Sequence, residues 1–182
     1  PRSYNATGDS TLIPVYKTEY RLTVNSNQGT TSGDGWYDEG GTAMATASSP
    51  TMTSGGKTRL TFLRWSGDVD SNKTSVSLNM DRPRNITAVW NREHYLTIIS
   101  SYSPTDKQGW YKEGDRVVVI ATMIVDPGNG TRRIFFGWSG DASSETPQIE
   151  ISMNSPQTLF TRYRTEYELT ITSEHGSVSG KR

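Results

Sequence analysis

Hydrophobic and polar residues alternate with a period of two along most of the chain, a pattern typical of half-buried β-strands. Leu22 and Val24 alternate with polar residues, and so do Val76, Leu78 and Met80. No stretch carries the apolar spacing of an amphipathic helix. The pattern therefore predicts an all-β protein, with strands near residues 20–25, 41–47, 58–65, 74–80 and 85–92.

The same alternation returns further along the chain. Ile149, Ile151 and Met153 alternate with polar residues. The segment Val117–Ile120 differs, because its four β-branched residues are consecutive. A continuous apolar run of this length predicts a strand that is buried on both faces.

Several landmarks recur at an almost constant spacing, which is the signature of a repeat architecture. The Trp-Ser-Gly-Asp motif at Trp65–Asp68 recurs at Trp138–Asp141. The Gly-Trp-Tyr motif at Gly35–Tyr37 recurs at Gly109–Tyr111. The two spacings are nearly equal, and they predict tandem repeats of roughly 73 residues.

The repeat boundaries follow from a short motif, Thr-Glu-Tyr, which stands at Thr18–Tyr20 and again at Thr165–Tyr167. No Gly/Ser-rich or Pro-rich linker separates the repeats, so we expect them to be semi-rigid relative to each other. Each complete repeat is expected to hold about five short strands. The predicted division is a closing strand of a preceding repeat at 1–18, one complete repeat at 19–92, a second at 93–165, and the opening strand of a following repeat at 166–182.

The tryptophans at equivalent places in the two repeats are predicted to be structural core residues. A unit of about 73 residues has a small core and needs large aromatic side chains to bury enough apolar area. Two alternatives stay open, namely an exposed platform for glycans and a contact between repeats. The predicted core anchors are Trp36, Trp65, Trp110 and Trp138, and the predicted junction aromatics are Tyr16, Tyr20, Trp90, Tyr163 and Tyr167.

Small and acidic residues beside these tryptophans indicate turn chemistry. Gly40 and Gly114 follow the Trp-Tyr pairs by three positions, where a turn needs a positive φ. Asp68 and Asp141 follow Trp-Ser-Gly and are expected to cap a turn through side-chain to backbone hydrogen bonds.

Composition excludes several classes of function. The 182 residues carry a formal net charge of zero, which argues against nucleic acid and against a basic membrane-binding patch. No apolar run is long enough to span a bilayer. The absence of cysteine excludes disulfides, thiolate metal sites and a cysteine nucleophile. Since Pro1 is not a natural start, we expect any targeting signal to lie upstream.

Two segments imitate ligand-binding loops without completing them. Ser54–Thr58 resembles the end of a phosphate loop, but Thr51 stands where the first glycine is required, so a hairpin loop is predicted. Asp68–Asn72 resembles the start of a calcium loop, but Lys73 stands where that loop needs glycine and Asn79 where it needs glutamate. A weak calcium site of another type remains the alternative.

No constellation for general acid–base chemistry is present. The two histidines, His94 and His175, stand at unrelated positions without triad or metal partners. The sequence therefore predicts no catalytic, cofactor or metal site, and a protein that is not an enzyme. Asn-x-Ser/Thr triplets, which a composition rich in Asn, Ser and Thr also produces by chance, are candidate N-glycosylation sites at Asn5, Asn72, Asn85 and Asn129.

Together these landmarks resemble the divergent internalin B-repeat, or bacterial repeat domain, family. Its pattern has an opening Leu-Thr-Val, Gly-Trp-Tyr with a following Gly, Gly-Trp-Ser-Gly-Asp, and a closing Met…Pro…Thr-Ala-x-Trp. Residues 22–90 and 96–163 carry this pattern. Arg64 stands where the pattern has the glycine that Gly137 keeps, and Ser103–Asp106 replaces the early Gly-rich turn. Both departures affect turns only.

The resemblance implies a secreted, often very long protein of a bacterial or archaeal cell envelope, with no catalytic residues; the Thr-Glu-Tyr junctions look more like archaeal proteins. We therefore expect an extracellular, cell-surface structural segment: a stalk, a spacer, or a surface-layer or filament component. The alternative is an adhesin-type binding module for glycans or a protein partner. The expected partners are neighbouring repeats and other copies of the chain in a lattice or filament, with no cofactor, no nucleic acid and no membrane insertion of this segment.

Overall fold

The computed structural model describes residue 8 and residues 13–53, 55–102 and 105–176, and over this range it is all-β, as predicted. Backbone contacts divide the chain into two compact units. The first unit consists of residues 1–49 and 62–90, and the second of residues 50–61 and 91–182.

The strands are short apart from four that exceed nine residues. Two of these, β6 and β8, contribute residues to both units. Numbered along the described residues, the strands are β1 (Glu19–Asn25), β2 (Thr30–Ser32), β3 (Gly35–Asp38), β4 (Thr42–Ser48), β5 (Thr51–Met52), β6 (Thr58–Gly67), β7 (Ser75–Asn79), β8 (Arg84–Ile99), β9 (Gly109–Lys112), β10 (Arg116–Ile120), β11 (Ile124–Val125), β12 (Thr131–Gly140), β13 (Gln148–Ser152) and β14 (Gln157–Tyr167).

In the first unit the opening strand lies beside the closing strand. Strand β1 is antiparallel to β3, with Leu22 opposite Gly35. It is also parallel to the first half of β8, with Leu22 opposite Arg84. Strands β2, β4 and β7 form a separate antiparallel sheet in that order. The pairing of β1 with β8 closes the unit on itself.

The second unit repeats these pairings. The second half of β8 is antiparallel to β9, with Leu96 opposite Gly109, and parallel to β14, with Leu96 opposite Gln157. Strands β10 and β13 form an antiparallel pair. Strand β12 is antiparallel to β14 and has a bulge between Phe135 and Gly137. The registers of β1–β3, β1–β8 and β4–β7 therefore recur at equivalent sequence positions, whereas β2 has no counterpart among the described strands of the second unit.

Each unit has its own hydrophobic core, and all but one of the positions in each core correspond between the units. The main difference is that Val117 and Val119 replace the smaller Ala43 and Ala45. The first core contains Leu22, Ala43, Ala45, Ala47, Trp65, Val76, Leu78, Met80, Ile86 and Ala88. The second contains Leu96, Val117, Val119, Ala121, Phe135, Trp138, Ile149, Ile151, Met153 and Leu159.

The prediction that Val117–Ile120 is buried on both faces is wrong. Val117 and Val119 are buried, whereas Val118 and Ile120 are exposed. Strand β10 belongs to a two-stranded sheet that packs one face against the core, and alternate side chains of a strand point to opposite faces. The β-branched composition therefore favours the strand conformation without reporting burial.

The strand boundaries also differ from those predicted. The strand predicted over residues 85–92 continues without a break to Ile99. The short strands β2, β3 and β5 were not predicted. The hairpin predicted around residues 54–58 is present, because Thr51 of β5 pairs with Leu60 of β6. Ser54 itself lies outside the described residues.

The segments interpreted as partial repeats contain little strand. Residues 13–18 carry none, and in the segment 166–182 β14 covers only Glu166 and Tyr167 before the non-strand residues 168–176. Residues 1–7, 9–12 and 177–182 lie outside the described residues. A strand needs neighbours with which to pair, and no partner strand for 13–18 or 168–176 is found among the described residues.

Candidate functional site

The Trp-Ser-Gly-Asp motif places a large aromatic side chain in each core. Trp65 is 0% exposed and Trp138 is 2% exposed. The backbone N–H of Trp65 donates to the carbonyl of Ser71 at 2.7 Å, and that of Trp138 donates to Ser144 at 2.7 Å. The indole N–H of Trp138 also donates to the carbonyl of Pro147 at 3.0 Å. The indole N–H of Trp65 has no partner among the described residues.

The last two residues of the motif clamp the start of the closing strand. The backbone N–H of Asn85 donates to Asp68 Oδ2 at 2.7 Å, and the N–H of Asp68 donates to the carbonyl of Asn85 at 2.9 Å. Gly67 has a φ of +106°, and a Cβ there would lie 2.5 Å from that carbonyl. Only glycine fits this close backbone approach. We call Gly67 and Asp68 the strand clamp.

The second unit has the same strand clamp at Gly140 and Asp141. The backbone N–H of Thr158 donates to Asp141 Oδ2 at 2.6 Å, and a Cβ on Gly140 would collide with the Thr158 carbonyl. The side-chain to backbone hydrogen bonds predicted for Asp68 and Asp141 are confirmed. They hold the closing strand rather than the turn in which the aspartates lie.

The strand clamp of the first unit also carries a charge interaction. Arg82 donates to Asp68 Oδ1 at 2.8 Å. The hydrogen bond from the backbone of Asn85, followed by that from Arg82, lowers the pKa of the Asp68 carboxyl below its ordinary value. The folded clamp therefore stabilises the ionised form of Asp68.

The turn glycines behave as predicted. Gly40 and Gly114 have φ values of +72° and +88°. The backbone N–H of Gly40 donates to the carbonyl of Met80 at 2.9 Å, and that of Gly114 donates to Met153 at 3.1 Å. The turn at Gly40 is thus hydrogen-bonded to the residue after β7, and the turn at Gly114 to the residue after β13.

Trp36 lies on the surface, so the prediction that it is a core anchor is wrong. Its side chain is 63% exposed. The next residue, Tyr37, packs against the first core, and a strand points successive side chains to opposite faces. The guanidinium of Arg21 lies 5.9 Å from the indole centroid, and this arginine also pairs with Asp34.

Trp110 also lies outside the core cluster, although it is only partly exposed. Tyr111, next to it, packs against the second core. The indole of Trp110 makes an edge contact with Tyr95 at 5.2 Å between centroids. The guanidinium of Arg59 lies 4.4 Å from the indole centroid. The cover on Trp110 therefore comes from the β5–β6 hairpin.

An ion pair fixes that arginine, and sequence reasoning missed it. Arg59 Nε donates to Glu93 Oε2 at 2.6 Å, and both side chains are largely buried. The sequence contains a signal for this ion pair, because an arginine and a glutamate recur at the equivalent positions of the next repeat, Arg132 and Glu166. These two residues form the same hydrogen bond at 2.8 Å. The hydrogen bond from Arg132 lowers the pKa of Glu166.

One family model matches the chain. Residues 20–94 match the Divergent InlB B-repeat domain. The matched segment begins in β1, ends in β8, and contains both Trp36 and the strand clamp, so the predicted resemblance is confirmed over this range. No curated protein and no solved structure matches the chain. B-repeats of this kind are found on bacterial surface proteins.

Three of the five aromatic residues predicted at the repeat junctions make contacts within their own units. Trp90 packs against the first core, and its indole N–H donates to Ser26 Oγ at 3.1 Å. Tyr20 packs against the same core and Tyr163 against the second. Their role at a junction stays a prediction. The other two, Tyr16 and Tyr167, are exposed.

The Asn-x-Ser/Thr triplets differ in their surroundings. Asn72 and Asn129 lie in exposed bends, and Asn129 accepts a hydrogen bond at 2.6 Å from Thr131 of the same triplet. Asn85 lies in β8 and bonds to the side chain of Asn25 at 2.6 Å. Asn5 lies outside the described residues. Glycosylation stays a prediction at all four sites.

The histidines do not come together. His94 is buried with its Nδ1 3.0 Å from Thr58 Oγ1, whereas His175 is exposed. Within the described ranges, no cluster of three or more His, Asp or Glu side chains could hold a metal ion. The same ranges contain no helix with the length and apolar character that a membrane crossing requires.

Proposed function

We propose that this chain is a non-catalytic structural segment of an extracellular surface protein, in which tandem B-repeats act as a spacer. The observation that carries the proposal is the match between the units, whose strand registers and core positions recur at the spacing of the sequence repeat. In tandem arrays each repeat contacts mainly its neighbours, so the number of repeats sets the length. The occurrence of B-repeats on bacterial surface proteins supports the cell-surface location.

The way in which one repeat passes into the next also supports a spacer. The closing strand of the repeat at 19–92 continues as the opening strand of the repeat at 93–165, since both lie in β8. No flexible Gly/Ser linker intervenes. The proposed partners are accordingly the neighbouring repeats, together with other copies of the chain in a lattice or filament.

Small-angle scattering tests the spacer. The samples are the full chain and variants in which residues 19–92 are duplicated once or twice, so that residue 92 is followed again by residue 19. We expect the maximum dimension to grow by a similar amount with each added repeat. A dimension that does not grow with repeat number rejects the proposal, and sedimentation velocity shows whether each sample is a monomer.

A second candidate is a binding module for glycans or a protein partner, which the exposed Trp36 favours. An exposed indole offers an apolar face for stacking, and Arg21 beside it adds a hydrogen-bond donor. A glycan array and a pull-down with Trp36→Ala as the matched variant test this candidate. Specific, saturable binding that the variant loses without a change in melting temperature supports it, and binding that survives the substitution contradicts it.

A further inference from the structure

Trp36 and Trp110 occupy the same place in the two units but have different surroundings. Trp36 is opposite Arg21 in the β1–β3 pair, and Trp110 is opposite Tyr95 in the equivalent β8–β9 pair. Arg59 covers the indole of Trp110 at 4.4 Å. The guanidinium of Arg21 lies farther from the indole of Trp36, at 5.9 Å, and Trp36 is still 63% exposed.

The cover on Trp110 is a β-hairpin held by several specific contacts within the second unit. Besides the ion pair between Arg59 and Glu93, the carbonyl of Lys57 accepts the backbone N–H of Tyr95 at 2.9 Å. By sequence, the β5–β6 hairpin belongs to the repeat at 19–92, which precedes the repeat that contains Trp110. A hairpin of one repeat thus completes the surface of the repeat that follows it.

The first unit has the same carboxylate and indole, in Glu19 and Trp36, but no arginine-bearing hairpin lies on them among the described residues. Glu19 stands in the first repeat where Glu93 stands in the second, and its partly exposed carboxylate pairs with Lys17 at 3.3 Å. Lys17 supplies the positive charge that Arg59 supplies to Glu93 in the second unit. It leaves the indole of Trp36 open, because an ammonium is a compact charge without the flat face of a guanidinium.

The hairpin itself recurs in the repeat at 93–165, as the β11–β12 pair. Arg132, at the start of β12, bonds to Glu166 as Arg59 bonds to Glu93. Its side chain is 54% exposed beside an open groove lined in part by Gly130 and Glu166. Among the described residues no aromatic ring covers its guanidinium. Each repeat of the sequence, 19–92 and 93–165, therefore carries an arginine-bearing hairpin and an outward-facing tryptophan.

We propose that Glu19 and Trp36 form the docking site for an arginine-bearing β-hairpin of a repeat placed before residue 19 in an array. The docked guanidinium lies on the indole of Trp36 and pairs with Glu19, as Arg59 does with Trp110 and Glu93. A planar guanidinium stacks on an aromatic face and donates to a carboxylate at the same time. This inference rests on the proposed array function and names the contact by which one repeat recognises the next.

The test uses the full chain with residues 19–92 duplicated once. The first copy carries Trp36→Phe, so that the only Trp36 indole belongs to the second copy, which follows a complete hairpin. Oxidative footprinting read by mass spectrometry gives the labelling rate of each tryptophan. We expect Trp36 to label rapidly in the unduplicated chain and to slow to the rate of Trp110 in the duplicated one. Slow labelling of Trp65 and Trp138 in both chains shows that the units are folded.

Arg59→Ala in the first copy is the matched variant. It should restore rapid labelling of Trp36 while leaving Trp110 protected, because the Arg59 of the second copy still covers Trp110. Equal labelling of Trp36 with and without the duplicated repeat overturns the inference, and so does protection that survives Arg59→Ala. The spacer proposal is judged separately by the maximum dimension of the same two chains, which can grow even if Trp36 stays exposed.

Discussion

At the scale of single residues, the position of a tryptophan on its strand decides its role. Trp65 and Trp138 point into the cores and are almost completely buried. Trp36 and Trp110 follow glycine in the Gly-Trp-Tyr motifs, and the next tyrosine takes the inward position. The second pair is therefore available for contacts outside its own core.

This division predicts unequal costs of truncation in the first unit. Trp65→Ala should lower the free energy of unfolding by about 3–5 kcal/mol, because it leaves a large cavity in a small core. Trp36→Ala should change it by no more than about 0.5 kcal/mol, as expected for an exposed site. Urea denaturation followed by circular dichroism measures both. An equal loss in the two variants would mean that Trp36 is buried in solution.

At the scale of strands and turns, the strand clamp joins the end of β6 to the start of β8. Gly67 allows the close backbone approach, and Asp68 binds the backbone of Asn85 through both its N–H and its carboxylate. Since β8 also pairs with β1, the clamp fixes the strand that closes the unit.

Gly40 and Gly67 are required for different reasons, and alanine substitutions at the two positions distinguish these reasons. Gly40→Ala should cost about 1–2 kcal/mol, the ordinary penalty of a left-handed residue, because a Cβ there has no neighbour within 4 Å. Gly67→Ala should cost clearly more, since its Cβ also collides with the carbonyl of Asn85. Thermal and urea unfolding compare the two variants. A smaller loss for Gly67→Ala would exclude the close approach.

The lowered pKa of Asp68 makes stability depend on pH in the acid range. A carboxyl with a lower pKa in the folded state stabilises it above the unfolded-state pKa, near the ordinary value of 3.8. That contribution is lost as the pH falls through the folded-state pKa. The free energy of unfolding should therefore decrease below about pH 4. Asp68→Asn should flatten this decrease, and an unchanged slope would show that the carboxylate contributes nothing.

Local patterns account for most strands and for the turn glycines, but not for contacts between distant segments. The alternation around Leu22 and Val76 predicts β1 and β7 because burial on one face follows the backbone geometry. The exposure of Val118 was missed because β-branched residues favour strands whether or not they are buried. The position of Arg59 on Trp110 depends on which segment packs beside β9, and no local pattern carries that information. The outward direction of Trp36 could have been inferred from the alternation with Tyr37.

At the scale of the whole molecule, the two units share one folding pattern. The opening strand pairs with the Gly-Trp-Tyr strand and with the closing strand in both units, at positions that differ by one repeat length. In such arrays the stability is approximately a sum of repeat and nearest-neighbour terms. Adding repeats should then extend the molecule without changing how each repeat folds.

Single-molecule force spectroscopy tests this claim most directly. The samples are the full chain and variants with one, two or three further copies of residues 19–92, pulled from their termini. We predict one added unfolding peak for each added copy, with equal contour-length gains of about 20–25 nm, the extended length of one repeat less its folded span. A single gain that covers all repeats, or gains that vary with the number of copies, would show that the repeats do not fold as separate units.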